Sequence, residues 1–218
     1  MIKFPVIKYF SKYFTPTFLK YSISANQITF LSLITGILAC VCFVFIDHLW
    51  HLGGAFLLLI NYILDNCDGE VARAQNQTSK FGAQFDTFVD WIIHTLFFSA
   101  IGIQTSKLFV NEIWFWMGLF GSIGCTINYA VGFYLTKPSI ENEPPQNKTK
   151  PPQEEIYTHY PINLKQQLIF IFRELFRADF CFIVIVLTIF KSLWLLLPTA
   201  ALGAHIYWIL LFAKNTRH

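Results

Sequence analysis

Charge is scarce in this chain of 218 residues: Asp, Glu, Lys and Arg together make up 13%, where a soluble domain typically carries about 25%. With 55% hydrophobic residues and a mean hydropathy of +0.49, that shortage argues against an ordinary water-soluble globular protein. Paired cysteine spacing is missing too. Cys40, Cys42, Cys67, Cys125 and Cys181 follow no zinc or disulfide pattern. All but Cys67 lie in apolar runs, where a thiol behaves as a small hydrophobe, so no redox role is expected. No cleavable signal is expected either, because the first long apolar run starts near Ile28, behind Lys3, Lys8, Lys12 and Lys20. The net charge of +3 falls short of the dense basic patch that nucleic acid requires, which excludes that partner.

Long apolar sequence is what the chain does have. Runs of about 20 residues, each able to cross ~30 Å of hydrocarbon, predict an all-α polytopic membrane protein. Six transmembrane helices are expected, at roughly 28–47, 50–67, 85–104, 113–135, 179–191 and 193–212. The last two share one apolar stretch broken only by Lys191 and Ser192, so a tight hairpin is expected there. Residues 1–27 mix lysines with Phe4, Ile7, Phe10, Phe14 and Phe18. They predict an N-terminal interfacial amphipathic helix, interrupted near Pro16 and distinct from the membrane domain at 28–218. A polar loop from Thr136 to Tyr160 and a second interfacial helix at 163–178 are expected to follow the fourth span. With the N-terminus inside, all of the 16 Lys and Arg except Lys107 and Lys191 fall on the cytoplasmic side, as the positive-inside rule requires. Both termini are therefore expected in the cytoplasm.

Against this apolar background stand Asp65, Asp68, Glu70, Asp86 and Asp90, at or just inside the cytoplasmic ends of the second and third spans. An unpaired carboxylate in a membrane helix is costly, by roughly 2.5–3.5 kcal/mol on insertion scales. At 100° per residue, Asp65, Asp68, Gly69 and Ala72 share one helix face, and Gly82, Asp86 and Asp90 step by i+4 along the next helix. A merely solvated loop has no reason to keep that spacing. Facing carboxylates repel unless cations sit between them, and hard oxygen ligands suit magnesium or manganese far better than zinc. Gly69 and Gly82 clear room for a ligand or the partner helix, and Arg73 offers a planar fork for phosphate oxygens. Together these residues describe a diphosphate site.

The run Asp65-Asn-Cys-Asp68-Gly69-Glu-Val-Ala72-Arg73, eight residues, then Gly82-Ala-Gln-Phe-Asp86-Thr-Phe-Val-Asp90 resembles the signature of the CDP-alcohol phosphotransferases at every fixed position. The resemblance implies that Asp65, Asp68, Asp86 and Asp90 bind two divalent cations, Mg2+ or Mn2+. Gly69, Ala72, Arg73 and Gly82 would line the pocket for a cytidine nucleotide and its diphosphate. Asp90 would take the proton of an acceptor hydroxyl as CMP is expelled. The donor implied is CDP-diacylglycerol, in a homodimeric enzyme of phospholipid synthesis within the lipid bilayer. Asn26-Gln-Ile-Thr29 is similar to the family's Pro-Asn-x-x-Thr, with Ala25 in place of the proline. Asn26 and Thr29 are read either as pocket residues or as a capped helix start.

The acceptor is a small alcohol that the motif does not name: inositol phosphate, glycerol phosphate, serine, inositol or choline. Lys137, Arg173 and Arg177 flank the cytoplasmic mouth and would meet a phosphorylated polyol. They serve equally as positive-inside residues against anionic headgroups. His94 extends the Asp86–Asp90 stripe, either to tune Asp90 or as a packed polar residue, and Glu70 reads as solvated. Two alternatives stay open: a CDP-choline or CDP-ethanolamine donor with a lipid acceptor, and a cation or proton transporter built on the carboxylates.

Overall fold

Among the described residues, apolar runs punctuated by short polar turns fold as helices. The structure, a computed structural model, describes residues 5–141 and 179–215, with side chains over 5–133 and 179–205. In chain order these are α1 (Ile7–Lys20), α2 (Ala25–Val44), α3 (His48–Ala74), α4 (Lys80–Phe109), α5 (Ile113–Glu141), α6 (Phe180–Ile189) and α7 (Leu196–Asn215). A single 3-10 turn, Leu193–Leu195, links the last two. Among the described residues, α2 and α4 are long and apolar enough by themselves to cross a bilayer. The four other expected spans also coincide with helices, α3, α5, α6 and α7. The expected second interfacial helix at 163–178, most of the Thr136–Tyr160 loop, Arg173 and Arg177 lie outside the described residues.

Helix α1 corrects the expected interruption at Pro16: it runs unbroken through that residue. Ser11 and Thr15 donate to the two carboxylate oxygens of Glu70 on α3, at 2.8 and 2.6 Å. Glu70 is therefore an anchor and not a solvated residue. At the other end, the backbone N–H groups of Val6 and Ile7 donate to the buried Asp179 carboxylate at 2.8 and 2.9 Å, which satisfies the bare start of the helix. The face turned to α3 is thus Ile7, Ser11 and Thr15, while Tyr9, Phe10, Tyr13 and Phe14 stay exposed. An outward aromatic surface of that kind suits the membrane interface.

Helix α2 starts at Ala25 because Ser24 begins it: the Gln27 side chain accepts from the Ser24 N–H at 3.0 Å, half of a capping box. Both α3 and α4 pack on α2, without packing closely on one another. The gap between them holds the acidic residues. Phe43, Leu58, Ile93, Phe97 and Ile101 fill the core beneath that gap. Helices α4 and α5 touch at Gly102 and Gly118, where a Cβ on Gly102 would lie 2.9 Å from the Gly118 Cα. The expected reversal at Lys191–Ser192 is present: Lys191 takes φ 56° and the Ser192 N–H closes on the Leu187 carbonyl at 2.7 Å, a Schellman-type stop. Helix α6 then lies on α3, and α7 on α5.

Candidate active site

Asp65 and Asp68 sit on the last turns of α3, and Asp86 and Asp90 on the first turns of α4. The start of α4 is fixed by Ser79, whose hydroxyl accepts from the Gly82 N–H at 3.0 Å. This cap sets the phase of the i+4 stripe that follows. Across the gap, Asp65, Asp86 and Asp90 each bring a carboxylate oxygen to within 4.8 Å of the others. Asp68 stands apart from this trio, buried, with its carboxylate receiving the Thr29 hydroxyl from α2. Asp86 Oδ1 is buried and has no hydrogen-bond partner among the described residues.

One side of the acidic group opens into a cleft of about 220 Å³ lined by Asn26, Thr29, Asp68, Gly69, Ala72, Arg73, Gly82 and Asp86, with Ser79 at its edge. Ser24 holds the N-cap position of α2, and Asn26 and Thr29 line the cleft. The Arg73 guanidinium lies over Gly69, where a Cβ would come to 3.2 Å from Nη1. A Cβ on Gly82 would stand 3.4 Å from the Asn26 amide oxygen. Both glycines therefore keep the cleft narrow in backbone and open in side chain.

A second cavity, of about 280 Å³, adjoins the other side and is lined by Asn61, Tyr62, Asp65, Asn66, Asp90, Ile93 and His94. His94 Nδ1 lies 2.7 Å from the Asp90 carbonyl oxygen and Nε2 lies 3.3 Å from the Tyr62 hydroxyl. With Nδ1–H donating to that carbonyl, Nε2 is left to accept from Tyr62. His94 is thus bonded within the bundle. Sequence reasoning passed over Asn61, Tyr62 and Asn66. Asn61 and Tyr62, four and three residues before Asp65, share its face of α3.

Lys137 falls on α5 where only the backbone is described, and Arg173 and Arg177 lie outside the described residues. The carboxylates meet the chemical demand of a hard divalent cation: their oxygens converge, one is buried without a donor, and no sulfur or imidazole intrudes among the described ligands.

Comparison with known proteins agrees with this geometry. Residues 22–215 match the family model described as CDP-alcohol phosphatidyltransferase. A protein of Aquifex aeolicus named bifunctional IPC transferase and DIPP synthase is 38% identical over 98 residues, 45% of this chain and 22% of that protein. A CDP-diacylglycerol–serine O-phosphatidyltransferase of Helicobacter pylori is 38% identical over 74 residues, 34% of this chain and 27% of the relative. The chain thus spans about a quarter of the length of these relatives. With the family model matched from before the first residue of the cleft to the end of α7, the chain belongs to the CDP-alcohol phosphatidyltransferase family.

Proposed function

We propose that this chain is an integral membrane enzyme of phospholipid synthesis that transfers a phosphatidyl group from CDP-diacylglycerol to a small alcohol and releases CMP. The observation that carries the proposal is the convergence of Asp65, Asp86 and Asp90 to within 4.8 Å beside a glycine- and arginine-lined cleft. The name of the Helicobacter relative carries the same donor, with serine as acceptor. Six spans, both termini and the site on the cytoplasmic side, and a homodimer belong to the same proposal.

In this reading the cytidine and diphosphate lie along Asn26, Thr29, Gly69, Ala72, Arg73 and Gly82, with Arg73 pairing to phosphate oxygens. Asp65, Asp68, Asp86 and Asp90 would hold two divalent cations, Mg2+ or Mn2+. Such ions neutralise a diphosphate and stabilise the departing phosphate charge. Asp90 orients the acceptor hydroxyl and accepts its proton. The hydroxyl oxygen bonds to the phosphorus nearest the lipid, the phosphorus–oxygen bond to CMP breaks, and its electron pair leaves with CMP. The Thr29 hydroxyl, donating to Asp68, holds that carboxylate in place. Lys137, Arg173 and Arg177 would meet an acceptor that carries a phosphate.

The test is CMP release by purified protein with Mg2+ or Mn2+ and CDP-diacylglycerol, against serine, inositol, inositol phosphate, glycerol phosphate and choline. Asp90→Asn serves as the control. Release with one acceptor and none from Asp90→Asn supports the proposal and names the product lipid. Release only with a CDP-choline donor and a lipid alcohol reverses donor and acceptor. No release under either arrangement overturns the enzymatic function.

A further inference from the structure

We propose that a third cavity, at the end of the bundle opposite the acidic group, binds the phosphate group of an anionic ligand. This binding does not require the phosphatidyl transfer proposed above.

The cavity, of about 290 Å³, lies where the start of α3, the end of α4 and the α6–α7 turn meet. His48 opens α3, and Asp65 lies near its other end, on the order of 25 Å away along the helix. That span separates the cavity from the acidic group. Under the proposed topology this end of the bundle reaches the far face of the bilayer. Lys107 and Lys191 are the basic residues that stand there against the positive-inside rule, and Lys191 lines the cavity.

The polar part of the lining supplies donors that nothing else uses. Gln104 is only 4% exposed. Its Oε1 accepts from the Thr105 hydroxyl at 3.2 Å, and its amide nitrogen has no partner among the described residues. A buried donor left unpaired is costly, and an acceptor bound in the cavity would remove that cost. His48 makes no side-chain hydrogen bond among the described residues either, and its Nδ1 is buried. The Lys191 ammonium has no acidic partner among them, and no carboxylate lines the cavity. Asp47, next to His48, is turned instead to the Leu49 N–H at 2.9 Å. His51 is committed to the Phe45 carbonyl at 2.6 Å and adds no donor. An ammonium, an amide NH2 and an imidazole N–H thus share one cavity without a neutralising acid, and charge-assisted donors of this kind suit phosphate oxygens. The rest of the lining is apolar, including Leu108, Leu193 and Trp194, with the Trp194 ring edge-on to Phe109 and Trp114 at 6.2 and 5.7 Å. That remainder suits the body of a phospholipid.

The experiment uses the purified chain in an uncharged detergent with chelator present, so that no divalent cation brings phosphate to Asp65, Asp86 and Asp90. Calorimetry follows the binding of dihexanoyl phosphatidic acid, inorganic phosphate and zwitterionic dihexanoyl phosphatidylcholine. The proteins compared are wild type, Lys191→Asn, Gln104→Leu and Arg73→Ala. Asparagine tolerates the left-handed backbone at Lys191, φ 56°, and an unliganded Tm close to wild type checks that each variant is folded. The expected result is saturable binding of phosphatidic acid to wild type and Arg73→Ala. Its Kd should rise about tenfold in Lys191→Asn and in Gln104→Leu, the usual cost of one lost hydrogen bond to a charged group. Weaker binding of inorganic phosphate assigns the group to a lipid, and equal binding assigns it to a soluble phosphate; both support the site. No saturable binding, equal affinity in every folded variant, or equal affinity for phosphatidylcholine would each overturn the proposal. Binding lost in Arg73→Ala but kept in the cavity variants would overturn it too, because the anion would then sit in the cleft beside Gly69.

Discussion

Thr29 illustrates how a side chain outside the acidic trio supports the site. Its hydroxyl reaches Asp68 from a different helix, so Thr29→Val removes a donor while keeping the shape. The Mg2+ concentration for half-maximal activity should then rise about tenfold to a hundredfold, the usual effect of losing a partner behind a metal ligand. Thr29→Ser should restore most of it, and equal Mg2+ dependence in all three proteins would deny Thr29 that role. Asp68→Ala and Asp86→Ala should each lower CMP release by at least about a hundredfold, since each removes a proposed ligand of the cations that neutralise the diphosphate. Normal turnover in either would end the metal assignment. At this scale the carboxylates were legible because an ionised group in an apolar helix is costly and seldom kept without a function. Asn66 was not, because one amide near a helix end looks like a cap until the partner of its nitrogen is known. Glu70 was misread for a related reason: facing away from Asp65 suggested solvent, and only the fold brings Ser11 and Thr15 to it.

Among the elements, α1 is joined to the bundle by polar contacts at two points. Glu70→Ala takes the acceptor from two hydroxyls, and charged hydrogen bonds are worth about 1.5–3 kcal/mol each. Asp179→Ala strips the start of α1 and should cost about 1–2 kcal/mol, as other lost helix caps do. Thermal unfolding in detergent should show a lowered Tm for both, with the double variant close to the sum because the contacts are separate. A Tm equal to wild type would mean that α1 is held by its apolar contacts instead. The aromatic pattern of residues 4–18 was enough to foresee a helix, though not its docked face. Ser11 and Thr15 look like a solvent edge when their partner is 55 or more positions away.

For the molecule as a whole, the proposed six-span topology sets two turns on opposite sides of a bilayer. Asn76, in the α3–α4 turn, and Val110, 92% exposed in the α4–α5 turn, are suitable reporters. Among the native cysteines, Cys40, Cys42, Cys67 and Cys181 are buried and Cys125 is only partly exposed, so background labelling should be low. An impermeant thiol reagent should reach Asn76→Cys from the cytoplasmic face and Val110→Cys from the other. Labelling of both from one face would refute the arrangement. Chelation should abolish CMP release, with Mg2+ or Mn2+ restoring it; activity that persists in chelator would remove the cations from the scheme. Helix positions were legible from hydropathy because each apolar run coincides with a helix. Which helices touch was not, since α6 lying on α3 and α7 on α5 depends on contacts between distant segments.

The bond between Asp179 and the start of α1 also sets an order of assembly. Ile7 and the carboxylate that receives its N–H are separated by 172 positions, so α1 leaves the ribosome long before its cap has been made. Closing so large a loop carries an entropic cost that only the finished bundle can offset. A chain stopped short of Asp179 would keep the Glu70 anchor but begin its first helix with bare N–H groups. The start of α1 is therefore completed only after Asp179 has been made.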